Sequence, residues 1–202
     1  MWVYFLKNKS DALSTFQKFK TLVEKESGCN IMTLRTDNGR EFCSSTFANF
    51  CDIHGIKRQF TTPYTPQQNS VVECRNRTVV EMAHSMLQHR SVPNKFWAEA
   101  VFTAVYLLNR SPTQAVKGKT PEEVWSGRKP KISHLKVFGS VAYVWIPAAK
   151  RSKLDSKSQK LMMTGYSDHH KAYRLIDIAT GRLSFSRDVV FDEDRIFSVF
   201  FF

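Results

Sequence analysis

NIMTLRTDNGREF, residues 30–42, changes character partway along. Asn30 to Thr36 is a short apolar and β-branched run that reads as a strand. Asp37-Asn38-Gly39 is a turn signal, because Asp and Asn hydrogen-bond their own backbone and Gly tolerates turn dihedrals. Phe42, Phe47, Phe50 and Cys51 follow at spacings that suggest a helix, and Ile56 to Thr61 (IKRQFT) reads as a further strand. Upstream, Leu13, Phe16, Phe19, Leu22 and Val23 recur at three- and four-residue steps. They form one apolar stripe along a helix over residues 11–25, capped by Ser10 and ended by Gly28. Before it, Met1 to Lys7 (MWVYFLK) is rich in aromatic and branched residues and reads as a first strand. Strand, helix, strand, helix, strand is an α/β pattern. Asp37 then lies where a parallel-type strand ends, the edge at which open α/β sheets place their chemistry, although Asp-Asn-Gly by itself is usually a plain turn.

Downstream, TPYTPQQNSVVECRNRTVVEMAHSML, residues 62–87, passes two prolines and an amide-rich turn and becomes helical. Val72, Val79, Val80, Ala83, Met86 and Leu87 form its expected buried side. Ser70-Val71-Val72-Glu73 fits S-x-x-E, a capping box that would place Glu73 in the first turn simply to start the helix. Another helix begins at Pro93-Asn94-Lys95-Phe96-Trp97 and carries Ala100, Val101, Ala104, Val105, Leu107 and Leu108 on its apolar face, up to Ser111-Pro112. Residues 111–134, punctuated by Pro112, Gly118, Pro121, Gly127 and Pro130, read as a linker with one helical turn near Pro121 to Trp125. Leu135 to Ile146, Lys160 to Tyr166, Tyr173 to Ile178 and Leu183 to Phe191 are short β-branched and aromatic runs that suggest a small all-β barrel.

With 202 residues, 42% apolar and 13% aromatic, the chain can bury a real core in one or two domains. Thirty Lys and Arg against 18 Asp and Glu give a net charge of +12 and point towards a polyanionic partner, nucleic acid first, with a generic basic surface as the alternative. Half of that net charge, +6, lies in the 30 residues from Lys131 to Lys160. There Lys150, Arg151, Lys153, Lys157 and Lys160 are candidate nucleic-acid contacts. The four cysteines form no C-x-x-C pair and nothing resembles a secretory signal, so a reduced intracellular protein, nuclear or cytoplasmic, is expected. MWVYFL and the tail IFSVFFF, residues 196–202, fall short of the roughly 20 apolar residues that a membrane span requires. Cys51-Asp52-Ile53-His54 is an isolated half-site and reads as a core cysteine beside a surface histidine.

Between Asp37 and Glu73 stand 35 residues. Leu34-Arg35-Thr36-Asp37-Asn38-Gly39-Arg40-Glu41-Phe42, Thr62-Pro63-Tyr64-Thr65-Pro66-Gln67-Gln68-Asn69 and Val72-Glu73 followed by Asn76-Arg77-Thr78 resemble the integrase of Ty1/copia-type retrotransposons, a D,D-35-E polynucleotidyl transferase family. His134-Leu135-Lys136-Val137-Phe138-Gly139-Ser140, Lys153-Leu154-Asp155, Gly165-Tyr166-Ser167 and Ser186-Arg187-Asp188-Val189-Val190-Phe191 are similar to the SH3-like β-domain that follows the core in those polyproteins. The resemblance implies an α/β RNase H-like core fragment over 1–110, a linker over 111–134, a small all-β SH3-like barrel over 135–195 and an unrelated apolar tail over 196–202.

It also implies the chemistry. In-line attack on a phosphodiester gains from two divalent ions about 3.5–4 Å apart, and Mg²⁺ or Mn²⁺ prefers carboxylate oxygen. Asp37 and Glu73 are the implied catalytic and metal-holding acids. Gln67, Gln68, Asn69, Arg75 and Arg77 are candidates to position the DNA backbone, with plain helix-surface charge as the alternative for the two arginines. DNA is the implied partner, with other integrase subunits or a homo-oligomer beside it.

Departures from the family accompany these likenesses. The family's first acid and first two strands precede anything in this chain, so an N-terminally truncated, weak or inactive integrase is expected. Asp11 does not replace that acid, because it lies in a helix's first turn, where it favours the dipole. Ser70 stands where the family usually has glycine, and Cys74 where it usually has a basic residue. The rivals are a non-catalytic nucleic-acid-binding module and a decayed structural remnant.

Overall fold

The structure, a computed structural model, describes residues 1–61, 66–167 and 170–197, without the side chains of residues 66–70, Lys150 and Ile196. It divides into two compact units, residues 2–77 and residue 78 onward, the latter joined by Met1.

In the first unit, α1 (Ala12–Ser27) stops at Gly28. β1 (Thr33–Thr36) is followed by α2 (Arg40–Cys43), α3 (Ser45–Ile53) and β2 (Lys57–Phe60), which pairs parallel to β1 with Thr33 opposite Lys57 and Thr36 opposite Phe60. A parallel pair needs a crossover, and α2 and α3 supply it. Buried Phe47, Cys51 and Ile56 form the core, with Leu13 and Phe16 of α1, Ile31, Leu34, Phe42 and Phe50 packed on them. Phe47 stacks on Phe16 and meets Phe42 edge-on, each at 5.5 Å between ring centroids. The Cys51-to-His54 stretch is as read: the cysteine is in the core and the histidine is exposed.

Several local readings are corrected. Met1–Lys7 forms no strand; Trp2 and Tyr4 lie edge-on to Phe19 of α1 at 5.5 and 6.2 Å instead. A strand exists only through a ladder partner, and among the described residues β1 pairs with β2 alone. Ser10 lies in a 3₁₀ turn, Lys9–Asp11, and Asp11 occupies the N-cap position of α1. The expected second helix is two helices, because Ser44 turns extended and accepts the Phe47 N–H at 3.3 Å, capping α3.

The long helix, α4 (Pro66–His89), begins seven positions before Glu73, so Ser70 does not stand at the N-cap position and Glu73 lies beyond the first turn. Proline is well placed at a first helical position, where its missing N–H would be unpaired anyway. Gln67, Gln68 and Asn69, read as a turn, belong to the start of this helix. Val79, Ala83 and Leu87, spaced by four, make the buried stripe. Val80, about 100° around the helix, is 61% exposed, and Val72 is 53% exposed, so neither belongs to the buried side.

In the second unit, a 3₁₀ turn at Asn94–Phe96 enters α5 (Trp97–Arg110), which buries Ala100, Val101, Thr103, Ala104 and Val105. Within the segment read as a linker, α6 (Pro121–Ser126) is capped by the Thr120 hydroxyl, which accepts the Glu123 N–H at 3.2 Å. Five antiparallel strands follow: β3 (Ser140–Trp145), β4 (Ser158–Tyr166), β5 (Tyr173–Ile176), β6 (Leu183–Ser186) and β7 (Val189–Ile196), in the order β6-β5-β4-β3-β7. The run Leu183–Phe191 therefore divides between two strands. Ala142, Leu161, Met163 and Leu175 are the core of one sheet face, with Tyr173 and Phe191 against them. The Tyr173 and Phe191 rings are 4.6 Å apart, although β5 and β7 stand three strand spacings apart, about 14 Å if the sheet were flat. The sheet is rolled around its core. On its other face, the Thr103 hydroxyl of α5 donates to the Thr164 carbonyl at 3.0 Å, and Arg174 pairs with Glu99 at 3.4 Å.

Tyrosines strap residues 134–137 to this sheet. The Tyr173 hydroxyl donates to the His134 carbonyl at 3.0 Å, and the Tyr166 hydroxyl accepts the Lys136 N–H at 2.9 Å. Burial pushes the Tyr166 phenol up to about 12. His134 Nε2 lies 2.8 Å from the Tyr106 hydroxyl, while the Arg110 guanidinium sits 3.5 Å from the Tyr106 ring centre. Burial holds His134 below its ordinary value, and the Arg110 charge acts in the same direction. The unfolded chain, with His near 6.5, thus binds more protons than the folded one in the window below that value. The contribution is present in full above about pH 6.5 and is lost as pH falls through the folded value. The urea midpoint should therefore drop between about pH 7.5 and about pH 5.5, and His134→Gln should flatten part of that drop. An identical pH dependence in the variant would contradict the assignment.

Among the described residues, no helix is long and apolar enough to cross a membrane.

Candidate functional site

Asp37 directly follows Thr36, the last residue of β1, and so sits at the carboxyl end of the parallel pair. Its Oδ1 accepts the Gly39 N–H at 3.1 Å, closing the turn. Asn38 Nδ2 donates to the Thr61 carbonyl at 3.2 Å, and the Thr61 N–H donates to the Thr36 carbonyl at 3.0 Å, tying the turn to the end of β2. The turn reading and the sheet-edge reading of Asp37 are thus both met by one geometry. The carboxylate remains solvent-exposed.

Glu41, in the first turn of α2, is a neighbour that sequence alone did not single out. A Cβ built on Gly39 would lie 3.0 Å from Glu41 Oε1 and 3.1 Å from Asp37 Oδ1, so both carboxylates crowd the same glycine. The available signal was an acid four positions after Asp37, across a glycine short enough to let the helix start at once.

Glu73 is exposed on α4. Residues four apart share a helix face, so Arg77 lies on the side of Glu73, whereas Arg75, two positions on, points away from it. No hydrogen bond or ion pair among the described residues joins Asp37 to Glu73. The side chains of Gln67, Gln68 and Asn69 lie outside the described residues.

The basic candidates gather around the β3–β4 connection. Lys150 closes a 3₁₀ turn, with its side chain outside the described residues. The Arg151 guanidinium is 5.5 Å from the Trp145 ring centre. Lys153 and Lys157 are exposed in the loop, and Lys160, exposed on β4, holds its ammonium 4.7 Å from the Phe197 ring. Lys136 differs from these in facing an acid, Glu193, at 3.8 Å.

Asp37, Glu41 and Glu73 offer hard carboxylate oxygen, the donor type that suits Mg²⁺. The set is incomplete as a metal centre: among the described residues no group of three or more His, Cys, Asp or Glu converges.

Two known families match this arrangement. The integrase core domain family matches residues 1–66, and the retroviral polymerase SH3-like domain family matches residues 140–200. The Retrovirus-related Pol polyprotein from transposon TNT 1-94 of Nicotiana tabacum is 46% identical over 196 residues, which are 97% of this chain and 15% of that polyprotein. The corresponding polyprotein from transposon RE2 of Arabidopsis thaliana is 41% identical over 192 residues, 95% of this chain and 13% of that one. An uncharacterized mitochondrial protein of Arabidopsis thaliana is 36% identical over 85 residues, 42% of this chain and 71% of its own length. Core followed by SH3-like domain is the layout of an integrase region. The chain belongs to the Ty1/copia-type retrotransposon integrases, with the integrase core in its first part and the SH3-like domain in its last. It spans 13–15% of the length of the polyproteins it matches.

Proposed function

We propose that this chain carries part of a DNA-joining machinery, with Asp37 and Glu73 as two metal-holding carboxylates of the core region, 1–110, and the basic SH3-like region, 135–195, as its grip on DNA beyond the linker at 111–134. The supporting observation is Asp37 itself, held by its own turn at the carboxyl end of a parallel strand, inside the segment that matches the integrase core family. In the whole polyproteins the corresponding activity would be 3′-end processing of element DNA and its strand transfer into a target. Bound Mg²⁺ or Mn²⁺ would supply Lewis-acid stabilisation of the reacting phosphate. The residues of this chain would do the rest: Asp37 and Glu73 would present oxygen ligands, Arg77, on the side of Glu73, would fix the DNA backbone without reading sequence, and Arg75 and Gln67-Gln68-Asn69 are further candidates for that role. The setting is intracellular, in nucleus or cytoplasm, with DNA and further integrase subunits as partners.

Alone, this chain is weak or inactive in joining, because no three acids converge among its described residues and electrostatic stabilisation dominates phosphoryl transfer. Purified protein mixed with element-end oligonucleotides and Mg²⁺ should give no joining above background while still binding DNA. Binding that neither Mg²⁺ nor Asp37→Asn alters would favour the non-catalytic nucleic-acid-binding reading. Replacing Lys153, Lys157 and Lys160 by alanine should reduce the salt slope by about 0.9 for each lost duplex phosphate contact. Strand joining abolished by Glu73→Gln would overturn the inactivity but support the site. Joining that survives both Asp37→Asn and Glu73→Gln would remove the site assignment.

A further inference from the structure

The sheet of the second unit has a face that α5 covers at one end only. Thr103 bonded to Thr164, and Glu99 paired with Arg174, mark the covered end. At the other end, Tyr143 stands directly opposite Lys160 of β4 and Val190 of β7. Cross-strand partners project to the same side, so Lys160, Tyr143 and Val190 form one row over three strands. Trp145, two residues beyond Tyr143, projects to that side as well and begins the next row, opposite Ser158. Val190 is 71% exposed and Trp145 55%, a large apolar ring left in water at the edge of a basic loop. Trp97 is as exposed, at 53%, so what sets Trp145 apart is the basic loop beside it.

The charges around Trp145 meet aromatic rings rather than acids. Among the described residues, no carboxylate pairs with Arg151, Lys153, Lys157 or Lys160. The Arg151 guanidinium lies over the Trp145 ring, and its Nε is buried without a hydrogen-bond partner. A half-exposed aromatic ring beside guanidinium and ammonium groups that face no carboxylate matches an alternation of flat bases and phosphates. A duplex hides its base faces in the stack and offers only phosphate and groove edges, to which Trp145 would add little. A single strand offers both.

We propose that Trp145, flanked by Tyr143, Arg151, Lys157 and Lys160, is a stacking platform for the unpaired bases of single-stranded nucleic acid. The inference deepens the DNA-gripping role given above to the SH3-like region and rests on it. Trp145 takes a base against its ring, Arg151 and Lys157 neutralise the flanking phosphates, and Lys160 holds the strand across β4. Sequence preference is absent, because every base has a π-face.

The test uses the full chain and three labelled probes: oligo(dT) of about 15 nucleotides, an abasic deoxyribose-phosphate strand of that length, and a duplex of that length. Fluorescence anisotropy should show wild-type protein binding oligo(dT) about tenfold more tightly than the abasic strand. Trp145→Ala should bring that ratio close to one without weakening abasic binding, and Trp145→Phe should keep most of it. Arg151→Ala should weaken both single strands. A ratio unchanged in Trp145→Ala, or no discrimination by the wild type, overturns the platform while duplex and abasic binding leave the DNA-gripping role standing. Failure of all three probes to bind would end both. Because Trp145→Phe keeps an aromatic ring at an exposed position, an unfolded Trp145→Ala variant would not shield the proposal: loss of the ratio in Trp145→Phe alone would count against simple stacking.

Discussion

Phe47→Ala is expected to destabilise the first unit by about 3–5 kcal/mol, the range for emptying a fully buried phenylalanine site. Phe47 has no exposed surface and is the centre on which Phe16 stacks and Phe42 packs edge-on. Those partners come from α1 and α2, so the cavity would border two elements held by short, local contacts and would not close cheaply. Small domains hold about 5–15 kcal/mol in total, so this loss approaches the whole stability of a unit with one three-residue buried core. Hydrogen exchange read by mass spectrometry over residues 40–60 should show protection falling towards that of an unfolded segment. Phe50→Ala, at a half-buried position, should do much less. Equal protection in Phe47→Ala and wild type would show that this cluster does not hold the unit together.

Gly139→Ala is the second large effect, expected at about 2–5 kcal/mol from two sources that add. Gly139 adopts φ +81, which costs an L-residue about 1–2 kcal/mol. Its added Cβ would also meet Val92 Cγ2 at 2.7 Å and Arg90 Cβ at 2.8 Å, and overpacking of this kind costs about 1–3 kcal/mol. Neither neighbour can swing away. Arg90 is buried, with its guanidinium donating to the carbonyls of Glu193 and Arg195 on β7. Gly139 itself donates to the Met163 carbonyl at 2.8 Å, which pins it to β4. Gly181→Ala is the control: φ is +70, but nothing lies within 4 Å of its new Cβ, so only the conformational share remains. Urea unfolding of both variants should show Gly139→Ala losing clearly more than Gly181→Ala. Equal losses would mean that the Arg90–Val92 turn yields, and that the close approach carries no energy.

The missed features share a cause. Glu41 lies beside Asp37 because α2 starts immediately after Gly39, a matter of chain path that an isolated glutamate does not announce. Val72 and Val80 were placed on the apolar stripe, yet coverage of α4 begins only at Val79, and Val80 lies about 100° around the helix from the stripe that is covered. Trp145 was one more aromatic residue in a β run, and its exposure follows from where α5 stops covering the sheet.

What the sequence determined by itself was whatever a few neighbouring residues can enforce: the helical stripe of α5 and, apart from the exposed Leu22, that of α1, the turn at Asp37-Asn38-Gly39, the alternation of the β region, and the surplus of positive charge. These depend on dihedral preferences and periodicity, which act over a few positions. The tertiary structure alone decided that Trp2 and Tyr4 pack on a helix, that α4 starts at Pro66, and that Arg151 lies over an open tryptophan. Each of those depends on a partner distant in sequence, and burial, ladder pairing and charge proximity are properties of the pair.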